Sequence, residues 1–348
     1  MAGVHARAAR AAGAKLGGIV SSRPEKSLAA AAILGIDRAF DSLEALLGDE
    51  SITVVHVCTP NALHAEQALA IIAAGKHVVC EKPLAVSAPE AEELVVAARE
   101  AAVVATVPFV YRFHPMVREA RARVHEGEVG RLFSIHGSYL QDWLVRPTEA
   151  NWRVDAAAGG PSRAFADIGS HLVDLVEFIT TDRVARVAAT KRTFFADRAG
   201  HTGIATEDAA SVVFETAGGA IGTLSVSQVA PGRKNSLSLE IAGSGQSIRF
   251  DQENPDTLWI GREAANQVIA RDAAHLHADA ARLSIVPAGH PQGYQDAFNG
   301  FAADTYAAIT GEPPDGLPVF DDGLRAVRVT AAVIEAATVA RWVEIAGD

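Results

Sequence analysis

Residues 53–85 constrain the fold more tightly than any other stretch. Thr53–Cys58 (TVVHVC) is a short apolar run of strand type, followed by an Ala-rich helical segment that stops at Gly75. His77–Cys80 is a second short apolar run. Two near-continuous apolar strands joined by a helix are not a hairpin; they run parallel, with both faces of their sheet covered. The rhythm continues on both sides. Residues 3–12 suit a helix, Lys15–Ser22 (KLGGIVSS) a buried strand, and Pro24–Leu34 an Ala-rich helix. Asp41–Leu47 suits a helix that opens on capping residues, Pro89–Ala101 a further helix, and Val103–Val107 a fourth strand.

After Pro108 the pattern changes. Arg131–Gln141 is long enough for a strand of a broad sheet, and Ala164–Thr180 is helical. From Val184 to about Ala270 strand patterns dominate, with a hairpin at Gly218-Gly219, and helices over roughly Tyr294–Thr310 and Asp321–Val343 complete the chain. At 348 residues, two domains are expected: 1–109, an α/β unit, and 110–348, an α+β unit with one large, mainly antiparallel sheet.

A net charge of -11 leaves no basic surplus for nucleic acid and argues against an acidic membrane surface. The two cysteines, Cys58 and Cys80, sit in apolar segments and are too few for a disulfide framework. With no apolar run of spanning length and no leader pattern, the expected location is the cytoplasm.

Open parallel sheets place ligands beyond the carboxyl ends of their strands. Thr59-Pro60-Asn61 and Glu81-Lys82-Pro83 each follow a strand directly, so both fall on that edge. Lysine suits polarising a hydroxyl, because its charge responds readily to desolvation. In the second unit, Asp167-Ile-Gly-Ser-His171 with Asp174 places an acid, an imidazole and another acid at i, i+4 and i+7, one face of a helix. A carboxylate there can fix the histidine tautomer and raise its basicity. Asp174 is as well explained by orienting its neighbours.

The chain resembles the Gfo/Idh/MocA oxidoreductases, the glucose-fructose oxidoreductase and inositol dehydrogenase group. Val4-His5-Ala6, TPN, GKHVVCEKPLA, YRFHP, NWR and DIGSHLVD carry the resemblance across nearly the whole length. It implies a Rossmann domain, a sheet domain whose open face mediates assembly into a homodimer or homotetramer, and hydride transfer between a sugar or polyol carbinol and NAD(P). By the same resemblance, Lys82 lies near the reacting hydroxyl, His171 is the general base and Asp167 its partner. Thr59, Pro60, Asn61, His64 and Glu81 fall on the cofactor side with Lys82. Tyr139, Asp142, Trp143, Trp152 and Arg153 flank the route to the catalytic helix, and His290 lies in a Pro/Gly-rich loop that suits a pocket wall. Tyr139, Trp152, Arg153 and His290 are taken as substrate residues beside Asp167 and His171.

An NAD site would place an acidic residue after the strand KLGGIVSS. Ser21, Ser22, Arg23 and nearby Lys26 instead suit a 2′-phosphate, so NADP is favoured over NAD. The sequence His275–Asp279 (HLHAD) lacks further ligands at zinc spacing, so no metal is assigned. The chain also opens at the helix that follows the Gly-x-Gly turn of a Rossmann domain, so the first strand is expected to be missing. The expectation is a start lying upstream of Met1, whose restoration adds a short apolar strand ending in Gly-x-Gly; a shortened protein is the other reading. Two further functions stay open: an NAD-dependent glycosidase of the same superfamily, or a truncated non-catalytic cofactor-binding protein.

Overall fold

A computed structural model describes residues 1–149 and 151–347. The first domain runs α1 (Ala2–Ala11), β1 (Ile19–Val20), α2 (Pro24–Leu34), β2 (Ala39–Phe40), α3 (Leu43–Leu47), β3 (Val54–Val57), α4 (His64–Ala73), β4 (His77–Cys80), α5 (Ala88–Glu100) and β5 (Ala105–Thr106). Local chemistry sets these boundaries. α2 opens on Pro24 and closes on Gly35, which has a left-handed backbone with φ of 61° that glycine adopts without strain. α3 starts at Leu43, two residues into the expected Asp41–Leu47 span, because Ser42 caps it by accepting from the Ala45 amide at 3.2 Å.

All pairings among these strands are parallel, as the βαβ pattern requires, but they form two sheets, β1-β2 and β3-β4-β5. Among the described residues no backbone pairing joins these two sheets. The strand expected over Lys15–Ser22 shrinks to Ile19–Val20. Gly17 and Gly18 lie against Ile52 and Phe40 so closely that a Cβ at either would come within 2.3 Å of them.

The second domain contains α6 (Pro115–His125), β6 (Leu132–Leu140), α7 (Ala156–Gly159), a π-helical turn over Phe165–Gly169, α8 (Ser170–Thr180), β7 (Val184–Arg192), β8 (Ala209–Thr216), β9 (Ile221–Ser227), β10 (Ser236–Gly243), β11 (Ser247–Asp251), β12 (Thr257–Gly261), β13 (Asn266–Ala270), α9 (Ala278–Arg282), α10 (Tyr294–Ile309), α11 (Phe320–Val339) and β14 (Val343–Glu344). Its nine strands are ordered β13-β12-β11-β10-β6-β9-β8-β7-β14, antiparallel except for the β6–β9 pair. Burial alternates along β8 and β9. One face, with Val212, Phe214, Leu224 and Val226, packs on Leu172, Val176 and Ile179 of α8, and the other face is open.

The last two long helices cross back to the first domain. Phe298, Phe301 and Ala302 of α10 pack with Ala8 of α1 and Val79 of β4. Phe320, Leu324 and Val327 of α11 join the core of β3, β4 and β5. The Val107 amide donates to the Pro318 carbonyl at 3.2 Å, tying the end of the first domain to the entry of α11. Residues after 110 therefore complete the core of the first domain. None of the described helices is long and apolar enough to cross a membrane.

Candidate active site

The site forms where the loop after β4 meets the π-helical turn before α8. Lys82 Nζ lies 2.7 Å from Asp167 Oδ1 and donates to the Asp167 carbonyl at 2.6 Å. Residues 85 positions apart in the chain are thus locked across the domain boundary. Arg153 Nε stands 3.6 Å from the same carboxylate oxygen, and Gln228 Nε2 donates to the other at 2.8 Å. Burial alone would raise the Asp167 carboxyl, but the Lys82 ammonium and Arg153 outweigh it and hold the group at about 2.

His171 is buried among aromatic rings, edge-on to Tyr111 at 4.9 Å and to Phe109 at 5.7 Å between centroids. Asp167 raises the basicity of His171 through its charge, as expected, but no hydrogen bond from Asp167 fixes the histidine tautomer. The Asp167 oxygens are engaged by Lys82 and Gln228, and His171 Nδ1 is buried without a hydrogen-bond partner. The π-helical turn over Phe165–Gly169 widens the helix at this point, so the i, i+4 spacing no longer stacks Asp167 over His171. Burial, reinforced by the Lys82 charge, pushes the imidazole down to about 3. It is therefore neutral, the form that accepts a proton. Asp174 is turned away from this chemistry, bound through both oxygens by Arg112, which also reaches Asp322 at 2.8 Å.

The other expected residues divide into accessible and structural positions. Ser21, Ser22, Arg23 and Lys26 are exposed at the end of β1, and Arg23 pairs with Glu25 at 3.1 Å. Thr59 and Pro60 are partly exposed, Thr59 donating to Gln67 at 2.8 Å. Asn61 is buried and donates to the Gly159 carbonyl at 2.9 Å, so it bridges the two domains. His64 is also buried, its ring nitrogens 2.8 Å and 3.0 Å from the carbonyls of Pro83 and Thr59, which holds the two motif loops together. On the substrate side, Arg153 lies over the Trp152 ring at 4.4 Å. Tyr139 is buried, its hydroxyl 2.5 Å from that of Tyr111 and donating to Asn235 at 2.7 Å. Trp143 donates to Gln141 at 2.8 Å, and Asp142 accepts from Lys234 at 2.6 Å. His290 is exposed, and Arg271 fixes its loop by donating to the carbonyls of Val286 and His290. Of the HLHAD run, His277 is bonded to Glu119 and Glu126, and Asp279 to Arg118 and Arg282.

Glu81 has an unforeseen partner. Its Oε1 lies 2.8 Å from His5 Nε2, while Oε2 accepts from the Lys82 amide at 3.1 Å. His5 Nδ1 is 2.9 Å from His56 Nδ1, and His56 Nε2 is 3.0 Å from the Tyr306 hydroxyl. Burial works against a charged His5, but the Cys58 thiol and the Glu81 carboxylate raise it to about 10. A charged His5 then donates to both Glu81 and His56. Glu81, which burial would raise, is brought down to about 2 by His5 and then Lys82. A raised histidine stabilises the fold fully below its ordinary value of 6.5 and loses that contribution as pH rises through 10. Glu81 contributes fully above 4.5 and loses its share as pH falls towards 2. Urea unfolding of His5→Leu beside the parent chain is expected to give its widest stability gap between about pH 5 and 6.5, narrowing towards about pH 10. A gap independent of pH would contradict the ion pair.

Gln228, Arg112, Tyr111 and Asn235 were not among the residues expected from sequence. Gln228 carried a usable signal. Gly222, Leu224 and Val226 take the inward positions of β9, and Gln228 continues that series, an amide where an apolar residue belongs.

Comparison with known proteins gives a consistent result. Residues 1–109 match the family described as "Oxidoreductase family, NAD-binding Rossmann fold", and residues 117–249 match the "GFO/IDH/MocA C-terminal domain". A levoglucosan dehydrogenase from Pseudarthrobacter phenanthrenivorans is 31% identical over 350 residues, covering 94% of this chain and 88% of the relative. A solved levoglucosan dehydrogenase in complex with NADH and levoglucosan superposes with a TM-score of 0.94 at 28% identity, covering 100% of this chain and 98% of the other. An inositol dehydrogenase homolog from Azotobacter vinelandii, complexed with NADH and myo-inositol, gives a TM-score of 0.87 at 28% identity, covering 98% and 93%.

Proposed function

The chain belongs to the Gfo/Idh/MocA family of NAD(P)-dependent sugar and polyol oxidoreductases, and we propose that it oxidises a ring carbinol of a cyclic sugar with Lys82, Asp167 and His171 as its catalytic group. The observation that carries this reading is the Lys82–Asp167 contact of 2.7 Å, with the neutral His171 imidazole following on the same helical segment. A charged lysine held by a carboxylate is a fixed positive centre, suited to an oxygen that gains negative charge. His171 takes the hydroxyl proton. Asp167 keeps Lys82 in place, and the aromatic cage keeps His171 dry and uncharged.

The accessible groups fit a nicotinamide dinucleotide. Hydroxyl and cationic side chains at Ser21, Ser22, Arg23, Thr59 and Lys82 follow the carboxyl ends of β1, β3 and β4, the edge on which such sheets hold dinucleotides. When bound, the nicotinamide accepts hydride from the carbinol carbon. Our reading favours NADP. No carboxylate stands directly at the end of β1, and the Arg23–Glu25 pair is about two-thirds exposed on both sides, an interaction weak enough to yield to a phosphate.

Levoglucosan heads the substrate panel, on the likeness to the levoglucosan dehydrogenases, with myo-inositol and simple aldoses beside it. Reduced cofactor formed in proportion to sugar, with higher kcat/KM for NADP+ than for NAD+, is the expected outcome. Arg23→Ala is expected to lose about tenfold in kcat/KM with NADP+, as for one hydrogen bond to a charged group, and little with NAD+. Equal loss with both cofactors would refute the 2′-phosphate assignment. The open sheet face, with Val213, Ile221, Trp259 and Val268 among Ser and Thr residues, supports assembly into a homodimer or homotetramer, measurable by light scattering. Free Cys58 and Cys80 accord with a reducing, cytoplasmic setting.

A further inference from the structure

The Asp167 carboxylate is held from two sides, and only one of its partners belongs to the catalytic group. Oδ1 meets Lys82 Nζ, and Oδ2 accepts from Gln228 Nε2 at 2.8 Å. Gln228 is completely buried just beyond the end of β9. Its backbone is pinned as firmly as its side chain: the Gln228 amide donates to the Asp208 carbonyl at 2.9 Å, and its carbonyl accepts from the Leu144 amide at 3.1 Å.

The orientation of the Gln228 amide is decided by chemistry. An ionised carboxylate only accepts hydrogen bonds, so the NH2 end must face Asp167. The amide oxygen is then left buried, with no hydrogen-bond partner. An orphaned buried carbonyl costs free energy, and an apolar residue in the same inward series would avoid that cost. The orphan is what remains when the NH2 end is required by Asp167.

The adjoining strand supports the same segment. Glu207, just before β8, accepts at Oε1 from Ser162 Oγ and from the amides of Arg163 and Phe165, at 2.7–3.0 Å. The backbone that carries Asp167 is thereby held at its start, while Gln228 holds the side chain.

We propose that Gln228 is a positioning residue, whose amide fixes the ionised Asp167 carboxylate so that Lys82 is presented to the reacting oxygen. The inference rests on the assignment of Lys82 and Asp167 to the catalytic group. Gln228 acts through Asp167 and does not itself meet the substrate.

The charged and titratable groups around this contact are few. Lys82 and Arg153 lie beside Asp167, and His171 follows it on the helix. The Asp208 carboxylate is already engaged by Arg163 and Arg198. A carboxyl group introduced at position 228 would meet the Asp167 carboxylate directly, with Glu207, whose Oε2 is buried without a hydrogen-bond partner, on the adjoining strand. Two carboxyls in contact do not both ionise readily, so one keeps its proton well above the ordinary range. In that protonated form, the O–H donates to Asp167 as the amide does.

Gln228→Glu therefore separates positioning from packing, because it changes shape hardly at all. With levoglucosan and NADP+ as probe, its kcat is expected within a few-fold of the parent at about pH 5 and to fall on the order of 10- to 100-fold by about pH 9, as the donor is lost. Gln228→Leu, which has no donor at any pH, is expected to show a loss of that size in kcat with little pH dependence and an unchanged KM for cofactor. A parental pH profile in Gln228→Glu, or a parental kcat in Gln228→Leu, would overturn the proposal. Lys82→Ala is assayed alongside. If it retains activity, the catalytic assignment fails, whereas an inactive Lys82→Ala with a parental Gln228→Glu profile removes only the positioning role.

Discussion

Replacing Lys82 with alanine is expected to lower kcat by about 10²–10³-fold, the usual loss when one preorganised electrostatic donor is removed from a buried site. The geometry makes the loss asymmetric. Lys82 is the group that neutralises Asp167, so its removal also leaves a buried carboxylate with only Gln228 and the more distant Arg153. His171→Ala removes the proton acceptor and is expected to cost about 10²–10⁴-fold. Neither substitution touches the end of β1, where the adenosine half of the cofactor would lie, so titration by cofactor fluorescence is expected to show binding within a few-fold of the parent. The two losses should not add in a double variant, because both groups act on one proton and one oxygen. Near-parental turnover in either single variant would refute the catalytic assignment.

The second large effect is on stability. Arg112 is buried with its guanidinium against both oxygens of Asp174 and one of Asp322, and it stacks over Phe178 at 4.9 Å. Arg112→Leu would strand Asp174, itself buried on α8, without its counter-ion. Breaking a buried pair from one side costs about 3–5 kcal/mol. Urea unfolding should read this as a lowered midpoint at nearly constant slope. Adding Asp174→Leu to the same chain is expected to recover part of the loss, since the stranded carboxyl, which burial raises to about 7 even beside Arg112, is then gone. A double variant less stable than Arg112→Leu alone would show that packing around Phe178, and not the ion pair, dominates.

What could be read in advance follows from the range of each interaction. The parallel segments were legible because a βαβ unit writes its period locally, and Gly75 and Pro24 mark helix ends within a few residues of the structure. The two-residue strand at Ala39–Phe40 left no such trace, because its pairing partner and not propensity defines it, whereas Ala105–Thr106 falls inside the strand expected over Val103–Val107. Of the residues expected at the site, Lys82 and Asp167 do meet. The relation between Asp167 and His171 was not legible, since it depends on a single widened turn that regular helical spacing does not anticipate. Gln228 and Arg112 escaped for another reason. Their partners lie 61 and 62 positions away, and only the packed sheet and helices bring them together.

The crossing of α10 and α11 back onto the first domain bears on how such proteins can be rebuilt. A cut after residue 109 divides the chain where its family descriptions divide, yet it would strip the dinucleotide-binding half of Phe298, Phe301, Phe320 and Leu324. Chimeras that trade cofactor halves between relatives therefore need to carry the segment 294–327 with residues 1–109. The unit of exchange is discontinuous in the gene, and a swap at the linear boundary would pair each half with a stranger's helices.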